Sequence, residues 1–123
     1  MDDVLVIGGG VMGCASALAL AKKGVVTRVL ERSVPGAEAS SRAAGILGAQ
    51  AEAHADGPMT ALCLASRARY PEWAETIRER TGIDVGLRAC GALRVGFDAA
   101  QVSAIAEESA WQEARGLACE RLD

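Results

Sequence analysis

Large side chains are scarce in this chain. Its 123 residues include 1 Phe, 1 Tyr and 2 Trp. Leu, Ile, Val and Phe together make little more than a fifth of the sequence. That share lies just above the ~20 % that, with high charge, marks disorder. The apolar half of the composition is padded by alanine, and alanine with glycine fills nearly a third of the chain. A chain of this size buries roughly two-thirds of its surface on folding, yet it holds little bulk to bury. Its length, under the ~150-residue prior for one domain, excludes two complete domains. The thin core also argues against strong stability in isolation. Lysine is also rare, 2 against 11 Arg, and the net charge is −3. With no basic stripe, nucleic-acid binding lacks electrostatic support. Four cysteines stand at 14, 63, 90 and 119, with no CxxC and no Cys/His cluster. This excludes the usual zinc patterns and is sparse for a disulfide scaffold, so a reduced, cytoplasmic protein is expected. Cys14 reads as a small packing residue in a helix, and the lone His54 as a solvated loop residue.

What is present begins with an uncharged run from Val4 to Ala21. Its length is near the lower limit for a membrane span, and Gly9 with Gly13 forms a small-xxx-small pair. Gly8, Gly9 and Gly10 in succession cost about 1 kcal/mol each inside a helix. Asp2 and Asp3 stand where a signal peptide carries positive charge. The run therefore splits into strand, glycine turn and helix, with no membrane partner expected.

Residues 4–7 (Val-Leu-Val-Ile) suit a parallel strand buried on both faces. Residues 11–23 read as an Ala-rich helix with Lys22 and Lys23 in its last turn and Gly24 as its stop. Residues 25–30 form a second strand, giving a tight βαβ unit. Residues 33–50 read as a long loop with a Pro35-Gly36 turn; loops of that length are usually functional or disordered. Residues 58–80 return to helical spacing, with Met59, Leu62, Ser66, Tyr70, Trp73 and Ile77 on one face and a break at Pro71 near Tyr70. Residues 85–88 and 92–96 are expected as short strands around Cys90-Gly91. Asp98 and Gln101 resemble a capping box opening a helix to about Arg115, with Gly116 as its stop.

Gly8-Gly9-Gly10-Val11-Met12-Gly13 is G-x-G-x-x-G between a strand and a helix, and Glu31 closes the next strand. That context makes it the dinucleotide-binding fingerprint. Gly8 permits the tight turn, Gly10 lets the backbone approach a pyrophosphate, and Gly13 lets the helix pack close to the strand. The helix N-terminus offers N–H groups to the phosphates. Glu31 would accept hydrogen bonds from the adenosine ribose and repel a 2′-phosphate, disfavouring NADP. Fingerprint and carboxylate do not separate FAD from NAD. The following run, residues 38–50, supplies hydroxyls at Ser40 and Ser41 for diphosphate or ribityl oxygens. Its Ala43-Ala44-Gly45 would admit a flat ring against the backbone. Read from the residues alone, it is equally a surface loop, and Arg42 equally a surface charge.

Residues 4–13, Glu31 and the run Ser40-Ser41-Arg42-Ala43-Ala44-Gly45-Ile46-Leu47-Gly48-Ala49 resemble the N-terminal part of the D-amino-acid-oxidase-like (DAO) flavoproteins. The match continues loosely through Arg67-Ala68-Arg69-Tyr70 and Thr81-Gly82-Ile83-Asp84 to Cys90-Gly91-Ala92-Leu93. Within the family it is most similar to the branch that oxidises glycine for thiamine biosynthesis, of which the chain is an N-terminal fragment covering about a third.

The resemblance implies an α/β fold: the N-terminal βαβ of a Rossmann-like, glutathione-reductase-like FAD-binding domain over residues 1–84. Residues 85–123 would begin an α+β substrate domain. It implies non-covalent FAD, with Gly8, Gly10, Val11, Met12 and Gly13 at the pyrophosphate. Glu31 and Arg32 would border the ribose, Ser40 and Ser41 the phosphate and ribityl region, and Ala44, Gly45 and Ile46 the flavin ring. The implied oxidoreductase reaction removes a hydride from the Cα of a small amino acid or amine to flavin N5, with oxygen restoring the flavin and yielding peroxide. The family's substrate-binding arginine matches no residue here. No catalytic residue and no metal ligand is therefore assigned, and the segment alone is expected to be inactive. A homo-oligomer is expected of the full-length protein. The alternatives are a family member acting on D-amino acids or sarcosine, or an inactive truncated nucleotide-binding module.

Overall fold

The uncharged N-terminal run divides where its glycines lie. In a computed structural model, which describes residues 1–122, strand β1 (Val4–Ile7), helix α1 (Val11–Ala21) and strand β2 (Thr27–Leu30) follow in order. β1 and β2 pair in parallel, with Val4 opposite Thr27 and Ile7 opposite Leu30. Gly8 leaves β1 at φ +102°, a conformation that side chains with a Cβ rarely adopt. Its N–H still continues the ladder, donating to the Leu30 carbonyl at 2.8 Å.

β2 is shorter than the expected 25–30. Val25 N–H bonds the Leu20 carbonyl at the exit of α1, and the Val26 carbonyl accepts from Asp3 and Val4 N–H. The turn itself lies at residues 22–24, and residues 25 and 26 lead from it into the strand. α1 ends at Ala21, so Lys22 is its C-cap and Lys23 lies beyond it, not in the last turn.

Burial along β1 alternates: Val4 and Val6 are half-buried, whereas Leu5 is 53 % and Ile7 86 % exposed. The expected cover on both faces is not found. One face is covered, that facing the Ala-rich α1; on the other, no second layer is found among the described residues of this unit. These elements belong to a compact unit, Met1–Ile46, and a second unit begins at Leu47.

Within the first unit, residues 39–42 form a short helix, α2 (Ala39–Arg42), inside the segment expected as loop. Ser41 Oγ donates to the Ala37 and Glu38 carbonyls at 2.8 and 3.0 Å, which fixes that turn.

The second unit holds α3 (Pro58–Ala68), α4 (Tyr70–Thr81) and α5 (Ala99–Ala114). Pro71 cannot supply an interior N–H, and one long helix becomes two with the break at Arg69. The Arg69 guanidinium lies 5.9 Å from the Trp73 ring centre. The inner face of α3 is Thr60, Cys63, Leu64 and Arg67, while the expected Met59 and Leu62 are 70 % and 64 % exposed. The phase is set at the start of the helix, where Thr60 Oγ donates to the Ala55 carbonyl at 2.8 Å.

Asp98 caps α5 by accepting from Gln101 N–H at 2.8 Å, and Gln101 Oε1 accepts from Phe97 N–H at 3.0 Å. The reciprocal bond thus falls one residue before the position a capping box uses. Residues 85–88 and 92–96 join no ladder among the described residues. Their alternation is strand-like, but a strand needs a neighbour to take its N–H and C=O groups. Buried Gln112 links α5 to the loop before α3: Gln50 Nε2 donates to Gln112 Oε1 at 3.1 Å and Gln112 Nε2 to the Gln50 carbonyl at 3.2 Å. Glu108 adds a polar cluster on α5, 2.9 Å from Arg94 and 3.2 Å from His54.

Candidate nucleotide site

The register of the two strands decides what meets at their ends. Ile7 stands beside Leu30, so the glycine turn after β1 and Glu31 after β2 emerge together at the C-terminal edge. In open parallel sheets this is the edge that receives ligands. Glu31 Oε2 accepts from Gly9 N–H at 2.7 Å, and its Oε1 accepts from Ser33 N–H at 3.0 Å. The amides of Gly9, first, and then Ser33 hold the Glu31 carboxyl below its ordinary value, with the backbone and charge of Arg32 adding to the effect.

Gly9 is not among the residues the fingerprint singles out, yet it ties the turn to Glu31. A Cβ on it would lie 3.1 Å from Glu31 Cβ, and its carbonyl accepts from Gly36 N–H at 3.0 Å. Cys14 Sγ, exposed on α1, also donates to that carbonyl, at 3.3 Å. The signal in the sequence is the run of three glycines, one more than the fingerprint requires.

α1 begins at the turn without a capping side chain of its own; its N-cap is Gly10. The N-terminal N–H groups of a helix lack partners within it, and Ser40 supplies one from far along the chain. Ser40 Oγ accepts from Val11 N–H at 2.9 Å. A Cβ on Gly10 would come within 3.1 Å of that same oxygen. At Gly13 a Cβ would collide with the Gly8 carbonyl oxygen and stand 3.3 Å from Val6 Cγ1. Gly8 and Gly13 thus serve the turn and the close helix packing expected of them, and the close neighbour at Gly10 is the Ser40 hydroxyl.

Two grooves open on this arrangement. One, of about 330 Å³, runs past Gly8, Gly10, Glu31, Arg32, Glu38 and Ser40. The other, of about 420 Å³, is lined by Gly10, Val11, Met12, Gly13, Ser40 and Ala43. Arg32 reaches across to Glu38, with NH2 2.7 Å from Oε1. The candidates Gly8, Gly10, Val11, Met12, Gly13, Glu31, Arg32 and Ser40 are therefore brought together. Ser41, Ala44, Gly45 and Ile46 do not line either groove. Ser41 spends its hydroxyl on α2, Gly45 turns at φ +77°, and Ile46 is 78 % exposed.

A glycine turn at a parallel strand end, a helix N-terminus beside it and an acidic residue closing the next strand together define an adenine-dinucleotide-binding unit. The residues fit the adenosine diphosphate half of such a ligand, because both grooves are lined by Gly8 and Gly10 of the turn and by Ser40 beside the start of α1.

The comparisons with known proteins make the class specific. The family described as FAD dependent oxidoreductase (DAO) matches residues 3–123, and the chain belongs to that family. It is 46 % identical over 93 residues to a glycine oxidase of Geobacillus kaustophilus (strain HTA426), which covers 76 % of this chain and 25 % of that protein. It is also 46 % identical over 112 residues to the bifunctional protein ThiO/ThiG of Synechocystis, covering 89 % of this chain and 17 % of the relative. A crystal structure of glycine oxidase from Geobacillus kaustophilus superposes with a TM-score of 0.88 at 38 % identity, covering 93 % of this chain and 31 % of that one. The fold is thus that of the N-terminal FAD-binding region. The chain spans a quarter or less of the length of these curated relatives. No described helix is long and apolar enough to cross a membrane.

Proposed function

We propose that this chain is the adenosine-binding portion of an FAD-dependent oxidase that deaminates glycine or a related small amino acid or amine. The observation that carries this reading is the joint placement of the Gly8–Gly13 turn, the N-terminus of α1 and Glu31 at one sheet edge. Likeness to glycine oxidases and to a ThiO/ThiG protein supports the substrate class and a role in thiamine biosynthesis.

In this reading the amides of Val11 and Met12 face the diphosphate, with Ser40, which accepts from Val11 N–H in the free fold, yielding or sharing that amide when the ligand binds. Gly8, Gly10 and Gly13 keep the backbone close enough for it. Glu31 and Arg32 border the adenosine ribose. Ser41, Ala44, Gly45 and Ile46 lead towards the ribityl chain and the ring. Bound FAD would supply the redox chemistry, taking a hydride from the substrate and returning electrons to oxygen as peroxide. Residues 1–84 would be the N-terminal part of the FAD-binding domain and residues 85–123 the start of the substrate domain, in a cytoplasmic, oligomeric enzyme.

The test is purification of the protein that carries this segment. A yellow preparation with released FAD that forms peroxide from glycine or sarcosine supports the proposal. A colourless preparation that binds NAD instead overturns it. Relative rates on glycine, sarcosine and D-amino acids separate the family's substrates.

A further inference from the structure

We infer that Glu38 reinforces the groove's selectivity against 2′-phosphorylated adenosine ligands, by holding Arg32 in an ion pair. This rests on the adenosine reading of the groove given above. In dinucleotide sites an acidic residue after the second strand suits a free ribose, whereas a nearby arginine accommodates a 2′-phosphate. This chain has both in sequence, Glu31 followed at once by Arg32. Glu31 alone repels a phosphate; a free Arg32 beside it would work in the opposite direction.

The structure shows where the arginine goes. Arg32 NH2 donates to Glu38 Oε1 at 2.7 Å, and both residues line the groove that Glu31 borders. Glu38 occupies the N-cap position of α2, yet its side chain accepts no amide there. A carboxylate at an N-cap ordinarily takes such an amide. Here its charge is directed to Arg32 instead. The guanidinium is thereby paired with a carboxylate, and Glu31, Arg32 and Glu38 together leave the lining of the groove net acidic. Glu38 is a positioning residue, acting on the ligand through Arg32.

The pair is largely exposed, with side-chain exposures of 79 % and 66 %, so the effect is modest. Exposed pairs of this kind correspond to about a two- to fivefold change in an equilibrium. The experiment uses the full-length protein that carries this segment, stripped of flavin. FAD binding is followed by fluorescence quenching, with ADP-ribose and 2′-phospho-ADP-ribose as competitors. The wild type should prefer ADP-ribose. In Glu38→Gln the preference should narrow about two- to fivefold, with the change lost at high salt. Adding Arg32→Gln to Glu38→Gln should restore the wild-type preference, because the freed guanidinium is then absent. An unchanged preference in Glu38→Gln that still binds FAD overturns the inference, as does narrowing that persists without Arg32. Should the wild type bind neither FAD nor ADP-ribose, the adenosine reading fails first and takes this inference with it.

Discussion

Alanine at position 13 tests the packing of the turn, because two effects of opposite sign meet there. Gly13 is the third residue of α1. Replacing glycine by alanine within a helix ordinarily gains about 1 kcal/mol. Here the added Cβ would collide with the Gly8 carbonyl oxygen, with Gly8 C at 3.1 Å and Val6 Cγ1 at 3.3 Å. Two of those three atoms are backbone of the turn, so no flexible side-chain tip can swing aside. Accommodation means drawing α1 away from β1. Overpacking of this kind costs about 1–3 kcal/mol, and a backbone wall places it near the upper end. The expected net loss in Gly13→Ala is therefore about 2 kcal/mol. Urea unfolding of the protein carrying this segment reads it as a lower midpoint at unchanged slope. Moving α1 also shifts the Val11 and Met12 amides proposed to face the diphosphate, so FAD affinity should fall about tenfold. Ala19→Gly, at an exposed position of the same helix, should lose about 1 kcal/mol from propensity without affecting FAD. If Gly13→Ala is as stable as the parent or more so, and binds FAD equally well, the close-approach argument is refuted.

Two further outcomes follow from single hydrogen bonds. Glu31→Gln leaves one acceptor oxygen where the carboxylate has two, so it can keep only one of the bonds from Gly9 and Ser33. The Glu31 carboxyl is lowered from 4.5 in the fold, so its contribution is full above that value and fades as pH falls through the folded one. Urea midpoints of wild type and Glu31→Gln should differ near neutrality and converge in acid; parallel profiles would contradict this. Asp98→Ala removes the cap of α5 and should cost about 1 kcal/mol, read as faster amide exchange at Gln101, whereas unchanged exchange there would show that the cap contributes nothing.

The βαβ start is legible in the sequence because each of its signals is local. Val4 to Ile7, the glycines and Glu31 lie within one short stretch, and their chemistry needs no distant partner. The Asp98 cap and the break near Pro71 are legible for the same reason. The strands expected at 85–88 and 92–96 are not found, because a ladder is a property of two segments and only one can be read at a time. α2 escapes the reading because a single turn, Ala-Ser-Ser-Arg, is too short to carry a helical period; Ser41 bonds back to the carbonyls of residues 37 and 38. The phase of α3 differs from its apolar spacing: Thr60, bonded to the Ala55 carbonyl, is buried where Met59 and Leu62 are exposed. At the site, the glycines can be read as space for a ligand. That Glu31 spends both oxygens on the chain's own amides cannot, since Ser33 and Gly9 become its neighbours only after the strands pair.

That double use of Glu31 constrains anyone who would re-engineer this groove. Changing the residue to alter ligand choice also unfastens the glycine turn from the segment after β2, so a loss of binding and a loss of architecture arrive together. A successful exchange needs a substitute acceptor for the Gly9 amide, introduced with the new side chain or ahead of it. The order in which substitutions are made at residues 9, 31 and 33 then matters as much as their identity, and the same ordering narrows the routes by which natural variants could drift towards a different dinucleotide.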